Sequence, residues 1–217
     1  SAATVGEKER AASYQADAAL REALFGNVPE ARKQAATALA ASSGREAQVA
    51  AALAYALVGD LAPAQSATAN LAKQFPEDSV VQFNYLPAIR GQIALDSGGA
   101  TRALEFLQAA HPYELGFPGQ SILLNLYPIF VRGEAYIAER NGPAAVAEFQ
   151  KILDHSGIGL NEAIAALARL QLGRAQALAG DKDKARAEYQ DFFSLWKDAD
   201  PDIPILKRAK AEFAALE

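Results

Sequence analysis

The chain has 217 residues and a net charge of −5, with no run of Lys or Arg longer than two, which excludes nucleic acid as its main partner because phosphate binding needs clustered cations. It contains no cysteine, so disulfides and thiolate metal sites are excluded, and no stretch approaches 18 consecutive apolar residues, which excludes a membrane-spanning segment within it. Fifty residues are alanine, the best helix former and too small to hold helix axes apart, a usage that favours close-packed helices over sheets. The chain lacks Met and opens on Ser1-Ala2-Ala3, with nothing like a signal peptide, so it reads as an excised or processed piece of a longer protein.

In chain order, self-similar helix-turn-helix units begin near residues 12, 45, 84, 126 and 166. The first carries Gly26, Ala31 and Ala38. The second, REAQVAAALAYALVGDLAPAQSATANLAKQFPED, offers Ala52, Tyr55, Gly59, Ala64 and Pro76. The third has Gly91, Gly98 and Ala103, and residues 111–120 (HPYELGFPGQ) follow as the longest insertion, with two Pro, two Gly and aromatics expected to be exposed. The fourth, LYPIFVRGEAYIAERNGPAAVAEFQKILDH, sets Gly133, Tyr136, Ala145 and Phe149 in register. A second insertion, SGIGLN, ends in Asn161, expected to cap the next helix.

The fifth unit is the clearest. Leu167, Leu170, Ala175 and Leu178 share one helical face, Gly180-Asp181 interrupts, and Ala185, Tyr189, Phe192 and Phe193 resume the period. The tail ILKRAKAEFAALE is amphipathic through Ile205, Leu206, Ala209 and Phe213, which predicts a helix over 203–216 capping the end of the stack.

A small residue midway along the first helix, Gly at the turn, and Ala then an aromatic along the second resemble the tetratricopeptide pattern. Gly173, Gly180, Ala185 and Tyr189 fill those slots, while Gln176 and Phe192 depart from it. The resemblance implies an all-α fold, a right-handed α-solenoid of about five hairpins with a capping helix. The whole chain, 1–217, is then one domain, with repeats near 12–44, 45–78, 79–110, 120–155 and 161–198. Repeat spacings of 33, 39, 42 and 40 residues place the insertions between hairpins.

The stretches VQFNYLP, YPIFVRGEAYIA, AEFQKILDH and DFFSLWKDADPDIPILKRAKAEF are similar to the tetratricopeptide C-terminal region of bacterial eukaryotic-like serine/threonine protein kinases, most closely from about residue 79 onward. Similar regions also follow winged-helix DNA-binding domains in membrane-associated regulators. The resemblance implies an interaction or sensory module of a larger signalling protein, not an enzyme. Phosphoryl transfer needs a Gly-rich loop and catalytic and metal-binding Asp residues, and the chain has no GxGxxG, HRD or DFG.

Other chemistry is weakly supported. His155 lies between Asp154 and Ser156, but adjacent residues cannot form a relay, and a histidine at a helix C-terminus suits the helix dipole. His111 sits alone in the first insertion. The run Asp198-Ala-Asp200-Pro-Asp202 lacks the Gly and Glu of a calcium loop, with Ile203 and Ala209 in those positions, and reads as solvated. Asp181 and Asp183 read as helix-start acids, and Gly157-Ile-Gly159 is too short for a dinucleotide loop. No metal or cofactor is expected.

The binding residues are expected on the face of each first helix that lines the concave groove: Tyr85, Gln92, Tyr127, Phe130, Glu134, Leu170 and Arg174. Tyr and Arg are the types that anchor interfaces. In the earlier repeats Ala16, Leu20, Val49 and Leu53 occupy the positions where some relatives clamp a carboxylate with Lys and Asn, which argues against that ligand. The expected partner is a protein or peptide, an amphipathic helix or extended segment, and not nucleic acid or membrane. The alternative is a homo-oligomer made through the groove or residues 113–117.

Overall fold

The computed structural model describes residues 2–116, 125–159 and 162–216, and every regular element among them is helical. Five pairs follow one another: α1 (Ala2–Phe25) with α2 (Val28–Ala41), α3 (Arg45–Leu57) with α4 (Leu61–Gln74), α5 (Leu86–Asp96) with α6 (Ala100–Leu107), α7 (Tyr127–Ala138) with α8 (Gly142–Asp154), and, after the single turn α9 (Ser156–Gly159), α10 (Ala163–Leu178) with α11 (Lys182–Leu195). α12 (Pro204–Ala214) ends the chain. The first helix starts at Ala2, well before the expected residue 12, and runs for 24 residues.

One register recurs in every pair. A small residue on the first helix, Ala19, Ala52, Gly91, Gly133 or Gly173, is followed seven residues on by a left-handed turn residue: Gly26 (φ 88°), Gly59 (74°), Gly98 (79°), Arg140 (59°) and Gly180 (88°). Glycine takes that conformation without a Cβ clash, and four of the five turns use it. Five residues further stands Ala31, Ala64, Ala103, Ala145 or Ala185, each at most 1 % exposed. Where the first helix carries glycine, a large side chain of the second lies over it. A Cβ there would meet Leu107 at 3.0 Å from Gly91, Phe149 at 2.5 Å from Gly133 and Tyr189 at 3.0 Å from Gly173.

Local chemistry sets the helix boundaries. Asn141 and Asp181 cap α8 and α11 through the N–H groups of Ala144 and Lys184. Before α5, residues Val81–Tyr85 form one wide π turn in which the Leu86 N–H bonds to the Val81 carbonyl. Pro87 has no N–H to continue a regular ladder, which accounts for the break. Asn161, expected as a cap, lies outside the described residues; Glu162 holds the N-cap position of α10 and makes no side-chain cap bond. His155 ends α8, its Nδ1 2.8 Å from the Lys151 carbonyl oxygen. Asp200 accepts from the Asp202 N–H, and Asp202 pairs with Lys207.

The core sits around α3, in which every residue from Ala47 to Ala56 is buried. A helix that is apolar all round must be enclosed by others, and α1, α2, α4 and α5 enclose it. In a simple row of repeats each unit touches only its neighbours. Here α1 also reaches α10 and α12. The Phe25 ring meets Trp196 edge-on at 4.9 Å, and α12 buries Leu206 and Ala209 while Phe213 packs on Tyr189 and Phe193.

Residues 117–120 of the long insertion, Phe117 included, are not among those described. The part before them is held firmly. Glu114 is 0 % exposed and accepts two bonds from the Arg132 guanidinium at 2.9 Å and one from Lys151, while Arg132 also binds Glu148 at 2.6 Å. Burial raises the Glu114 carboxyl, but the Arg132 and Lys151 hydrogen bonds outweigh it and hold it below the usual range. Asn125 donates to the Gly116 carbonyl, and Asn84 donates to that of Asn125.

Candidate functional site

All five first helices send side chains to one cavity of about 260 Å³, with Gly26 in the first turn, Val28 of α2 and α12 completing its walls. Leu24 comes from α1, Leu57 from α3, Gln92 from α5, Phe130 and Glu134 from α7, and Leu167, Leu170, Gln171 and Arg174 from α10; Ile205 and Arg208 come from α12. Counted from the small residue of each first helix, Leu24 and Leu57 stand five on, Gln92, Glu134 and Arg174 one on, and Phe130 and Leu170 three before, so they occupy successive turns of one helix face.

Five of the seven residues expected in the groove therefore meet: Gln92, Phe130, Glu134, Leu170 and Arg174. Tyr85 and Tyr127 do not line it. Each is 2 % exposed, and both belong to the main apolar core. Burial raises the Tyr127 hydroxyl well above its ordinary value. Ala16, Leu20, Val49 and Leu53 are at most 3 % exposed and equally enclosed. The sequence register picked the inward side of the helices, but the contact of α1 with α10 and α12 closes what an open row would leave as a groove.

The cavity has a polar side. Glu134 accepts a 2.6 Å bond from Gln171, whose carbonyl oxygen accepts from Arg174 at 3.2 Å; Arg174 makes a two-pronged pair with Glu212 at 2.8 and 3.0 Å, and the Tyr189 hydroxyl donates to the same carboxylate at 2.9 Å. Burial pushes the Glu134 carboxyl up to about 7, against the lowering influence of Arg174 and the Gln171 bond. Gln92 is only 6 % exposed, and its Oε1 has no hydrogen-bond partner among the described residues. Arg208 is the exposed member of the lining and marks its rim.

Sequence reasoning missed Leu24, Leu57, Gln171, Ile205 and Arg208. The first two follow from the same register, whereas the α12 residues enter only because the chain end folds back. It also missed the Arg132–Glu114 pair, for which an arginine in the apolar run YPIFVRG was the available signal. Among the described residues no His, Cys, Asp or Glu cluster could hold a metal ion, and no helix is long and apolar enough to cross a membrane. In comparisons with known proteins, no family model, curated sequence or solved structure matches the chain.

Proposed function

We propose that this chain is a tetratricopeptide-like, non-catalytic binding module of a larger signalling protein, and that it holds a partner segment where its first helices converge. One observation carries the reading: every first helix contributes to a single partly open cavity, through Leu24, Leu57, Gln92, Phe130 and Leu170. Walls drawn from five rigidly paired helices are preorganised, which lowers the ordering cost of association. The recurrent turn, alanine and glycine positions support the repeat assignment. At about 260 Å³ the cavity excludes a whole helix, which is about 10 Å across. The partner inserts one side chain, and its backbone stays outside near Arg208.

A peptide-display selection against the wild type and an Ala23→Phe variant tests this. Ala23 lines the cavity, and an apolar cavity of about 150 Å³ is enough for a benzene ring, so the new ring fits within it. Selected peptides are expected to bind the wild type and to fail on the filled variant with its helicity intact. Peptides that bind both equally, or a selection yielding none, overturn the reading.

Homotypic assembly is favoured by a separate surface. Phe83 and Tyr113 stack at 4.9 Å, yet they remain 41 % and 46 % exposed beside Leu115 at 37 %. Under that reading sedimentation shows a concentration-dependent dimer that Tyr113→Ser abolishes; a monomer at every concentration removes it.

A further inference from the structure

We infer that the chain carries a second docking surface, a groove on the side of α5 away from the central cavity, and that this groove takes a peptide segment combining acidic and apolar side chains. Gln92 lines the cavity, whereas Arg90, Ile93, Ala94 and Ser97 recur at helical spacing on the other side of α5 and form the floor of the groove. Ala69 of α4 and Phe106 of α6 stand in its two walls. The inference does not depend on what enters the cavity.

The groove carries one sign of charge, unlike the cavity. Arg90 and Arg102 line it, and no Asp or Glu does. In a chain of net charge −5, Arg32, Arg45, Arg132, Arg169 and Arg174 each pair with a carboxylate. Arg90 and Arg102 are exposed, and among the described residues neither pairs with an acid. Arg102 lies instead over the Phe106 ring, 5.4 Å from its centroid. Leu107 stands 3.0 Å from the place of a Gly91 Cβ, so their chain neighbours Arg90 and Phe106 share one end of the groove, and the Arg102 guanidinium joins them there. Two cations at one end repel each other. A carboxylate between them removes that repulsion and gains charge-assisted hydrogen bonds.

From the arginine end, Ile93 and Ala94 carry an apolar floor along α5 to Ser97, two turns or about 10 Å from Arg90. The groove holds about 590 Å³. Since about 150 Å³ accepts a benzene ring, several apolar side chains fit, which favours a segment of chain over one small acid. The exposed Ser97 hydroxyl donates to the Ile93 carbonyl at 2.8 Å, so toward an occupant it accepts, which suits a peptide N–H.

The test is calorimetric titration of the full chain with a peptide of Leu and Glu, blocked at both ends, and with its counterpart carrying Gln for every Glu. Wild type is expected to bind the Glu peptide at least about tenfold more tightly, by a margin that shrinks as salt rises. Arg90→Gln combined with Arg102→Gln is expected to erase the preference at unchanged helicity, since both side chains are exposed. Arg90→Glu combined with Arg102→Glu is expected to transfer it to a counterpart carrying Lys for Glu. Ala69→Trp, at an exposed position of α4, is expected to block the groove, and Ala23→Phe, which fills the central cavity, to leave it open.

Equal affinity for the Glu and Gln peptides, a preference that survives the paired Gln changes, or no binding by folded wild type overturns the inference. Binding lost in Ala23→Phe but kept in Ala69→Trp places the peptide in the central cavity, which overturns the groove while leaving the module reading intact. Decanoate bound as tightly as the Glu peptide makes a free acid the occupant, and self-association abolished by the paired Gln changes makes it a second copy. Either result overturns the peptide assignment.

Discussion

A methyl group built on the Gly26 Cα would stand 3.1 Å from the Pro204 Cβ, so the turn of the first helix pair and the first residue of the last helix are in direct contact. Gly26 also has φ 88°, a conformation that costs an L-residue about 1–2 kcal/mol. Gly98, with φ 79°, has nothing within 4 Å of such a methyl and isolates the backbone effect. Gly98→Ala is expected to cost about 1 kcal/mol and Gly26→Ala about 2 kcal/mol, the excess reporting the loss of end-to-end closure. Equal urea midpoints for the two variants would remove the closure from the account of stability.

Gly133→Ala and Gly173→Ala should differ, although both sit within first helices, where replacing glycine normally gains about 1 kcal/mol. At Gly133 the new methyl would lie 2.5 to 2.9 Å from three ring carbons of Phe149, itself fully buried against Phe130. Displacing that ring costs about 2–3 kcal/mol, which outweighs the helix gain. At Gly173 the nearest atoms are 3.0 and 3.1 Å away on Tyr189, so the two effects nearly cancel for Ala, and only a larger residue such as Leu costs roughly 1–3 kcal/mol net. Thermal denaturation should rank Gly133→Ala below Gly173→Ala; the reverse order contradicts the packing.

Arg140 is the one turn residue of the five without glycine, at φ 59°. No side-chain bond holds it there among the described residues. Arg140→Gly should stabilise the chain by about 1 kcal/mol by relieving left-handed strain. A lower melting temperature in that variant would mean that the arginine compensates for its backbone through contacts the geometry does not show.

The recurring elements were legible because each is a local rule: glycine or alanine where helices cross, glycine at four of the five turns, alanine five residues after the turn, and in the last two pairs a ring four residues beyond it. Gly173, Gly180, Ala185 and Tyr189 display all of it within one unit. Closure was not legible, because Gly26 and Pro204 meet only after every intervening crossing angle has accumulated. For the same reason the inward side of the first helices was readable from Gln92, Phe130, Glu134, Leu170 and Arg174, while the enclosure of that side was not. Tyr85 and Tyr127 illustrate the limit: at the start of a first helix a tyrosine suits an interface or a core equally, and only the neighbouring helices decide.

The buried pair Arg132–Glu114 should matter more than any surface ion pair. Glu114→Ala leaves the Arg132 guanidinium, 2 % exposed, with Glu148 as its remaining partner. Breaking a buried pair costs about 3–5 kcal/mol, and the surviving Glu148 contact places the expected loss at the lower end, about 3 kcal/mol. Lys33→Ala, which removes an exposed pair with Glu30, should leave the denaturation midpoint where it is in wild type. Chemical denaturation of both variants measures the contrast, and similar midpoints would show that the insertion is not anchored through Glu114.

Stability should pass through a maximum near about pH 4, because two sets of carboxyl groups act in opposite directions. Burial raises Glu134 to about 7 from 4.5; burial with the neighbouring Asp17 charge raises Glu162 to about 7; and burial with the Glu46 charge raises Asp17 to about 6 from 3.8, with Arg21 opposing both of the last two shifts. A carboxyl whose pKa is raised by folding contributes fully below its unfolded value and loses that contribution as pH rises through the folded one. These three groups therefore weaken the fold between about pH 4 and pH 7. Glu114 and Asp78 are held below their usual values, since hydrogen bonds and charge from Arg132 and Lys151, and from Arg45 with the Val80 and Val81 N–H groups, outweigh burial. Their contribution is complete above the unfolded values and disappears as pH falls through the folded ones. Glu134→Gln keeps an acceptor for Gln171 but has nothing to ionise, so its unfolding free energy in urea at about pH 8 should exceed that of wild type by roughly 1–2 kcal/mol, with little difference at about pH 4. An equal deficit at both pH values would show that Glu134 acts through its hydrogen bond and not through its charge.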